Sequence, residues 1–349
     1  MSLTNLQIAD LLARSAAEAE SYRQRAYIKA SRGALAWTEE AADVLESGRS
    51  LTELFGVGDK LARRIEGWMT EPPEVGDPPE SRSGFSSRSV SSSIVDGHPD
   101  WRGAINADLQ MHSTYSDGDV TLEGMAAASR ELGYSYIALT DHSQGLKIAG
   151  GMSPEELRAQ GRAIADLNDE MQDDGFRVLH ALEMNISPSG EGDMEPEDLE
   201  GLDLVLGSFH SSLRTTDDQS YRYLAALRNP NFHVLGHPRG RMYATRAGLH
   251  ANWRRVFAEA AKMGKAVEID CNPNRQDLNA ALASLAVDAG CYISIGTDAH
   301  SIRELSFIDM GIATALAAGA PRDRILNYMT VDELVAWVRD RPQRSGQVG

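Results

Sequence analysis

Residues 136–142 read YIALTDH, an apolar, partly β-branched run that leads straight into an aspartate and a histidine. The run has the length and composition of a strand. The same rhythm recurs on both sides of it. INADL (105–109), RVLHAL (177–182), DLVLGS (203–208), HVLG (233–236), AVEID (266–270) and CYISIG (291–296) are further short apolar runs that end at polar or charged residues. Amphipathic stretches such as LEGMAAASRELG (122–133) and LNAALASLAVDAG (278–290) lie between most of them. Strands alternating with helices over residues 105–340 predict an α/β fold, a distorted seven-stranded parallel (β/α)7 barrel. An open doubly wound sheet is the alternative, and no GxGxxG follows the first strand to favour it.

In a parallel barrel, residues just after each strand converge on one face. At those positions stand His112 and Asp117, Asp141 and His142, Glu183, His210, His237, and Asp298 with His300. The sixth strand ends differently, in Asp270, Asn272 and Asn274. Imidazoles and carboxylates without thiolates suit Zn, Mn or Fe better than Ca or a structural cysteine site. The set exceeds one ion's shell, so about two or three divalent cations are implied. His98, His180, His233 and His250 carry the ordinary expectation of hydrogen-bonded histidines. Gln110 stands two residues before His112, where a second imidazole would complete a His-x-His pair; its amide oxygen could still coordinate a hard ion, more weakly.

The rest of the chain is read from composition. With 349 residues and 42% hydrophobic content it can bury a large domain and a small one. No apolar run is long enough to span a bilayer, and the N-terminus lacks a signal-peptide layout. Cys271 and Cys291 show no metal or disulfide spacing, which fits buried thiols in a reducing cytoplasm. A net charge of −17 argues against nucleic-acid binding by the whole surface. The charge is uneven: residues 1–70 are close to neutral and read as a small all-α domain. Residues 71–104, with paired prolines and the cluster SRSGFSSRSVSSS, read as a flexible linker.

Taken in order, DLQMHSTYSDG, ALTDHS, HALEMN, GSFHSS, GHPRGR, EIDCNP and GTDAH resemble the successive motifs of the polymerase and histidinol phosphatase (PHP) domain. DHSQGLKIAGGM and EIDCNPNRQDLN are similar to the branch found at the C-terminus of bacterial family X DNA polymerases. The resemblance runs from about residue 106 to 335. It implies a trinuclear metal centre that hydrolyses phosphate esters. One metal would fall to Gln110, His112, Glu183 and Asp298, a second to Glu183, His210 and His237, and a third to Asp117, His142 and His300. Glu183 would bridge the first two ions, and Asp141 would orient a ligand. Hydroxide generated there would attack phosphorus. Arg239 and Arg241 would grip phosphate, Arg241 in a catalytic role, with Lys147 and Arg275 as further contacts.

LFGVGDKLARRI (54–65) resembles a helix-hairpin-helix, in which backbone N–H groups of a Gly-x-Gly turn hold a DNA phosphate. Gly56, Gly58, Lys60, Arg63 and Arg64 are its expected DNA contacts. No polymerase palm lies between the two modules, so no polymerase activity is expected. Arg64 stands where lyase-active relatives carry a nucleophilic lysine, so no lyase reaction is expected through it. The leading expectation is a metal-dependent phosphoesterase acting on DNA ends or lesions, as a 3′–5′ exonuclease, 3′-phosphatase or abasic-site endonuclease. The alternatives are a small-molecule phosphate monoesterase of the histidinol-phosphatase type and a non-catalytic scaffold.

Overall fold

The computed structural model describes residues 2–172 and 175–340. The chain opens with helices α1 (Asn5–Ala17), α2 (Ser21–Leu35), α3 (Ala41–Glu46) and α4 (Asp59–Thr70). Thr4 and Gln7 cap α1 reciprocally, which satisfies two N–H groups at its start. Ile8, Leu12, Leu35, Trp37, Val44, Leu51 and Ile65 close a small core that also takes in Phe85 and Tyr243. Those last two rings meet edge to face at 4.9 Å.

The 71–104 segment is not the free tether that its composition predicts. It forms α5 (Arg88–Asp96) and α6 (Pro99–Ala104). Val95 enters the core of the following domain. Ser87 and Ser89 both reach the Glu40 carboxylate, at 3.4 and 2.5 Å. Arg82 pairs with Asp10 at 2.7 Å, and the Gln276 amide closes two bonds with the Ser86 backbone at 2.8 Å each. Small polar residues resemble a linker in composition, but here Ser86, Ser87 and Ser89 find specific partners, and buried polar groups with partners pack well.

The remaining elements are β1 (Ala107–Asp108), α7 (Leu122–Glu131), β2 (Tyr136–Leu139), α8 (Pro154–Glu170), β3 (Arg177–Asn185), β4 (Leu204–Ser208), α9 (Ser220–Leu227), β5 (Val234–Leu235), α10 (Trp253–Lys262), β6 (Ala266–Asp270), α11 (Ala280–Asp288), β7 (Tyr292–Gly296), α12 (Ile308–Ala317) and α13 (Val331–Arg339). The strands are parallel and follow chain order from β1 to β7. This is the expected (β/α)7 barrel.

Period-2 alternation splits each strand between two cores. Val178, Leu182, Val205, Val267, Ile269, Ile293 and Ile295 pack under the helices. Leu179, Ala181, Leu204, Leu206, Val234 and Ala266 fill the interior. Leu326 and Leu334, the latter on α13, join that interior cluster and plug the end where the strands begin.

The seam between β1 and β7 is closed by backbone bonds, Leu109 N–H to the Ile295 carbonyl at 3.4 Å and Asp298 N–H to the Gln110 carbonyl at 3.0 Å, together with side chains. The buried Asn327 amide donates to the Ala107 and Ile295 carbonyls at 2.9 and 2.7 Å, and its oxygen accepts from the Ile295 N–H at 2.7 Å. Asp108 accepts from Thr297 Oγ1 at 2.5 Å.

Candidate metal centre

Following the inward series of β3 past Leu179 and Ala181 leads to Glu183, which is fully buried. Four imidazoles face its carboxylate: His237 Nε2 at 2.6 Å, His142 Nδ1 at 3.1 Å, His210 Nε2 at 3.3 Å and His112 Nε2 at 3.6 Å. His112 comes from the loop after β1, His142 from that after β2, His210 from that after β4 and His237 from that after β5. Burial alone would neutralise Glu183, but His142, His237 and His210 hold it well below the usual carboxylate range. His112 lies between His142 and His300, stacked at 4.4 Å on each ring.

Further out, Asp117 approaches His300 Nε2 at 3.2 Å and His142 Nε2 at 3.5 Å. Burial lowers the His300 pKa, but the Asp117 and Asp298 carboxylates overcome it and push the ring up to about 10. On the other side, Asp298 lies 3.1 Å from His112 Nε2. Three groups of ligand atoms are thus brought together: His112, Asp117, His142 and His300; His142, Glu183 and His210; and His112, Glu183 and Asp298. Two of the expected sets lie within these groups, Asp117, His142 and His300 in the first and His112, Glu183 and Asp298 in the third; in the remaining one His142 stands where His237 was expected, while His237 approaches Glu183 alone at 2.6 Å.

Supporting residues aim these side chains. The buried Asp141 accepts from the Ser113 N–H and hydroxyl at 2.8 and 2.7 Å, from Ser116 at 2.5 Å and from Gln160 at 2.6 Å. It therefore pins the loop that carries His112 and Asp117. His300 Nδ1 donates to the Asp298 carbonyl at 2.8 Å, which leaves Nε2 toward Asp117, and His210 Nδ1 faces Asn185 Oδ1 at 3.2 Å. Asp298 adopts a left-handed φ of 52°, rare for a non-glycine and concentrated at functional sites.

A cation fits this donor set. His142 Nδ1 and His210 Nε2 are buried with no hydrogen-bond partner, and both point at the Glu183 carboxylate. Glu183 offers no proton of its own to satisfy them.

Gln110 is fully buried at the floor of the site, and its amide end meets both oxygens of Glu268 at 2.5 and 3.0 Å, contacts that are hydrogen bonds when the amide is assigned with its nitrogen toward that carboxylate. Glu268 also accepts from the His237 N–H at 2.7 Å. Burial and the neighbouring Asp270 push the Glu268 carboxyl well above its normal range. Sequence reading missed Glu268. The signal was present, since Ala266, Glu268 and Asp270 alternate inward along β6. Gly296 makes room for this layer: a Cβ there would lie 2.6 Å from Glu268 and 2.5 Å from Gln110 Cβ.

The arginines among the expected phosphate grips are engaged within the chain. The Arg241 guanidinium lies 3.6 Å over the Phe85 ring and donates to the Gly84 and Arg275 carbonyls at 3.0 and 2.9 Å. Burial pulls it down to about 10. Arg239 donates to Leu249 O at 3.3 Å and pairs with Glu80 at 3.1 Å. Both clamp residues 80–85 to the barrel, because a buried guanidinium needs acceptors and these backbone carbonyls supply them. Arg275 pairs with Asp298 at 3.2 Å, which makes it a brace for that residue. Lys147 is exposed in the loop after β2 and forms no ion pair among the described residues.

In the helical domain, Gly56 has a φ of 81°, a conformation glycine adopts freely, and Gly58 caps α4. Lys60 is exposed, and Arg63 donates to Asp59 O at 3.2 Å. Arg64 differs from its expected role. It binds the Tyr27 hydroxyl at 2.7 Å and Ser15 at 3.0 Å, with its guanidinium about 5 Å from the Tyr27 and Trp68 rings. It serves the domain's own packing. Of the remaining histidines, His233 accepts from Val205 N at 2.8 Å, the hydrogen-bonded role expected of it, whereas His180 packs on Gly161 of α8 with its Nε2 buried and unpartnered. Cys271 and Cys291 are both free and buried. No described helix is long and apolar enough to cross a membrane.

The model of the PHP domain family matches residues 108–272. The chain is 35% identical over 238 residues to the DNA polymerase/3′-5′ exonuclease PolX of Bacillus subtilis (strain 168), covering 68% of this chain and 41% of that protein. It thus spans about two fifths of that relative's length. It is 26% identical over 230 residues to the probable phosphatase YcdX of Escherichia fergusonii, covering 63% of this chain and 89% of the other. Among solved structures, histidinol phosphate phosphatase from Lactococcus lactis, complexed with zinc, L-histidinol and phosphate, aligns at a TM-score of 0.45. Identity is 18%, over 61% of this chain and 93% of that one.

Proposed function

Residues 108–272 are a PHP domain, and from that premise we propose that this chain is a metal-dependent phosphoesterase acting on phosphate esters at DNA ends or lesions. The observation that carries the reading is the buried Glu183 carboxylate ringed by four imidazoles, with two unsatisfied ring nitrogens aimed at it. His112, Glu183 and Asp298 would hold one cation, Glu183, His210 and His237 a second, and Asp117, His142 and His300 a third. Divalent cations there would supply Lewis acidity toward a phosphoryl oxygen and a nucleophilic oxygen at neutral pH. The chain's own residues do the positioning: Asp141 fixes the loop with His112 and Asp117, Arg275 braces Asp298, and Lys147 is free to meet phosphate. Gln110 keeps one amide oxygen to offer a cation, because its nitrogen belongs to Glu268.

The DNA assignment draws on the exonuclease relative and on the helical domain docked beside the barrel through Phe85 and Tyr243. 3′–5′ exonuclease, 3′-phosphatase and abasic-site cleavage are all hydrolyses of this class. A second reading, a small-molecule phosphate monoesterase, draws on the match to 89% of a probable phosphatase. Parallel assays with Mn on DNA carrying 3′-phosphates, recessed ends or abasic sites, and on small phosphate monoesters, separate them. Turnover on DNA supports the first reading. Brisk monoester hydrolysis with every DNA substrate untouched would replace it with the second.

A further inference from the structure

A cleft of about 510 Å³ opens between α2 and two loops at the barrel mouth. From α2 it takes Arg25, Ile28, Lys29 and Arg32, spaced i, i+3, i+4 and i+7, which places them on one helix face. The opposite wall is Asn272–Pro273–Asn274 after β6 and Arg303–Glu304 after β7, and Phe55 forms one rim.

Four cations therefore face one carboxylate in a chain whose net charge is −17. None of the four forms an ion pair among the described residues. The one acid, Glu304, is already engaged by the His300 N–H at 2.8 Å. Arg32 donates through Nη2 to Thr245 Oγ1 and keeps its Nε buried without a partner. Phe55 is 59% exposed, with the Arg303 guanidinium 3.9 Å from its ring.

The cleft is continuous with both neighbouring features. Phe55 immediately precedes the Gly56–Gly58 turn of the helical domain. On the barrel side, Glu304 holds the backbone of His300, and Asn274 leads directly into Arg275, the partner of Asp298. Its volume suits single nucleotides rather than a duplex. A cationic groove with an exposed aromatic at its edge is the arrangement that holds a single strand by phosphate contacts and base stacking.

We propose that this cleft binds the phosphodiester backbone of single-stranded DNA and leads the strand's end to the metal centre. The destination rests on the phosphoesterase reading; the binding does not.

The test measures fluorescence anisotropy of a labelled oligothymidylate with the full chain in chelator, so that binding is read without turnover. Arg25→Glu with Lys29→Glu should weaken binding about tenfold or more at low salt and flatten the log–log salt slope by about 1.4, roughly 0.7 for each lost phosphate contact. Phe55→Ala should weaken it about fivefold with the salt slope kept, through lost stacking. The control pair Arg228→Glu with Lys262→Glu makes the same charge change on exposed residues outside the cleft and should bind like wild type. Circular dichroism melts check that each variant folds.

The proposal is overturned if the cleft pair binds like wild type or only as weakly as the control pair. It is also overturned if poly-glutamate displaces the oligonucleotide from the cleft at equal charge concentration. A wild-type chain that binds through the cleft yet hydrolyses no phosphate ester with Mn would instead overturn the function above and leave the cleft standing.

Discussion

Glu183 is the residue on which the site turns. It faces four imidazoles while fully buried, so its removal takes away the one carboxylate they share and a ligand that two cations would need. Glu183→Ala should lower bound metal and reduce hydrolysis by more than the ~10–100-fold that loss of a supporting partner costs, as read by elemental analysis and initial rates on one sample. Asp141→Ala should fall within that ~10–100-fold range, weakening metal affinity with the fold retained, because it frees the 112–117 loop without deleting a ligand. Wild-type metal affinity in Asp141→Ala would sink that role. Gln110 started as a gap in a His-x-His pair. Its amide nitrogen is committed to Glu268, so replacement by His tests whether the position is free for metal: Gln110→His should tighten metal binding, and unchanged affinity would show that the pairing with Glu268 governs this position instead.

Among the elements, arginines that looked like phosphate grips hold a segment that looked like a linker. Both features are ambiguous in sequence for one cause. Sequence shows a cation's type, but not which acceptors burial forces on it. Arg241→Met removes the stack on Phe85 and two bonds to carbonyls, so it should lower stability by about 2–4 kcal/mol while leaving the KM for small phosphate esters unchanged. A large rise in KM with unchanged denaturation would restore the phosphate-binding role. The β1–β7 seam gives a second test. Asn327→Leu loses three side-chain bonds and takes away the amide partner of the Ile295 N–H and of the Ala107 and Ile295 carbonyls, so a loss of about 2–4 kcal/mol is expected in urea melts. No change in the melt would mean that water replaces the amide there.

At the scale of the whole molecule, the barrel was readable because strand-end residues repeat in one chemical class. Every short run but the sixth, YIALTDH among them, leads into a candidate ligand, and a parallel barrel is the fold that gathers such ends. Strand alternation would also have found Glu268, had AVEID been read by face rather than by its last residue. The docking of the helical domain was not readable. It depends on Phe85 and Tyr243, far apart in the chain, meeting at 4.9 Å, and on the pairing of Arg82 with Asp10, and neither pair leaves a local pattern.

The central claim is that this barrel mouth is a multi-cation site for phosphate-ester hydrolysis. The most direct measurement is elemental analysis of the purified full chain, paired on the same sample with hydrolysis of a 3′-phosphorylated DNA before and after chelation. The account predicts about two or three divalent ions per chain, turnover that chelator removes and Mn restores, and loss of both metal and turnover in Glu183→Ala. A chain that takes up no metal, or that hydrolyses the ester equally well after chelation, would contradict it.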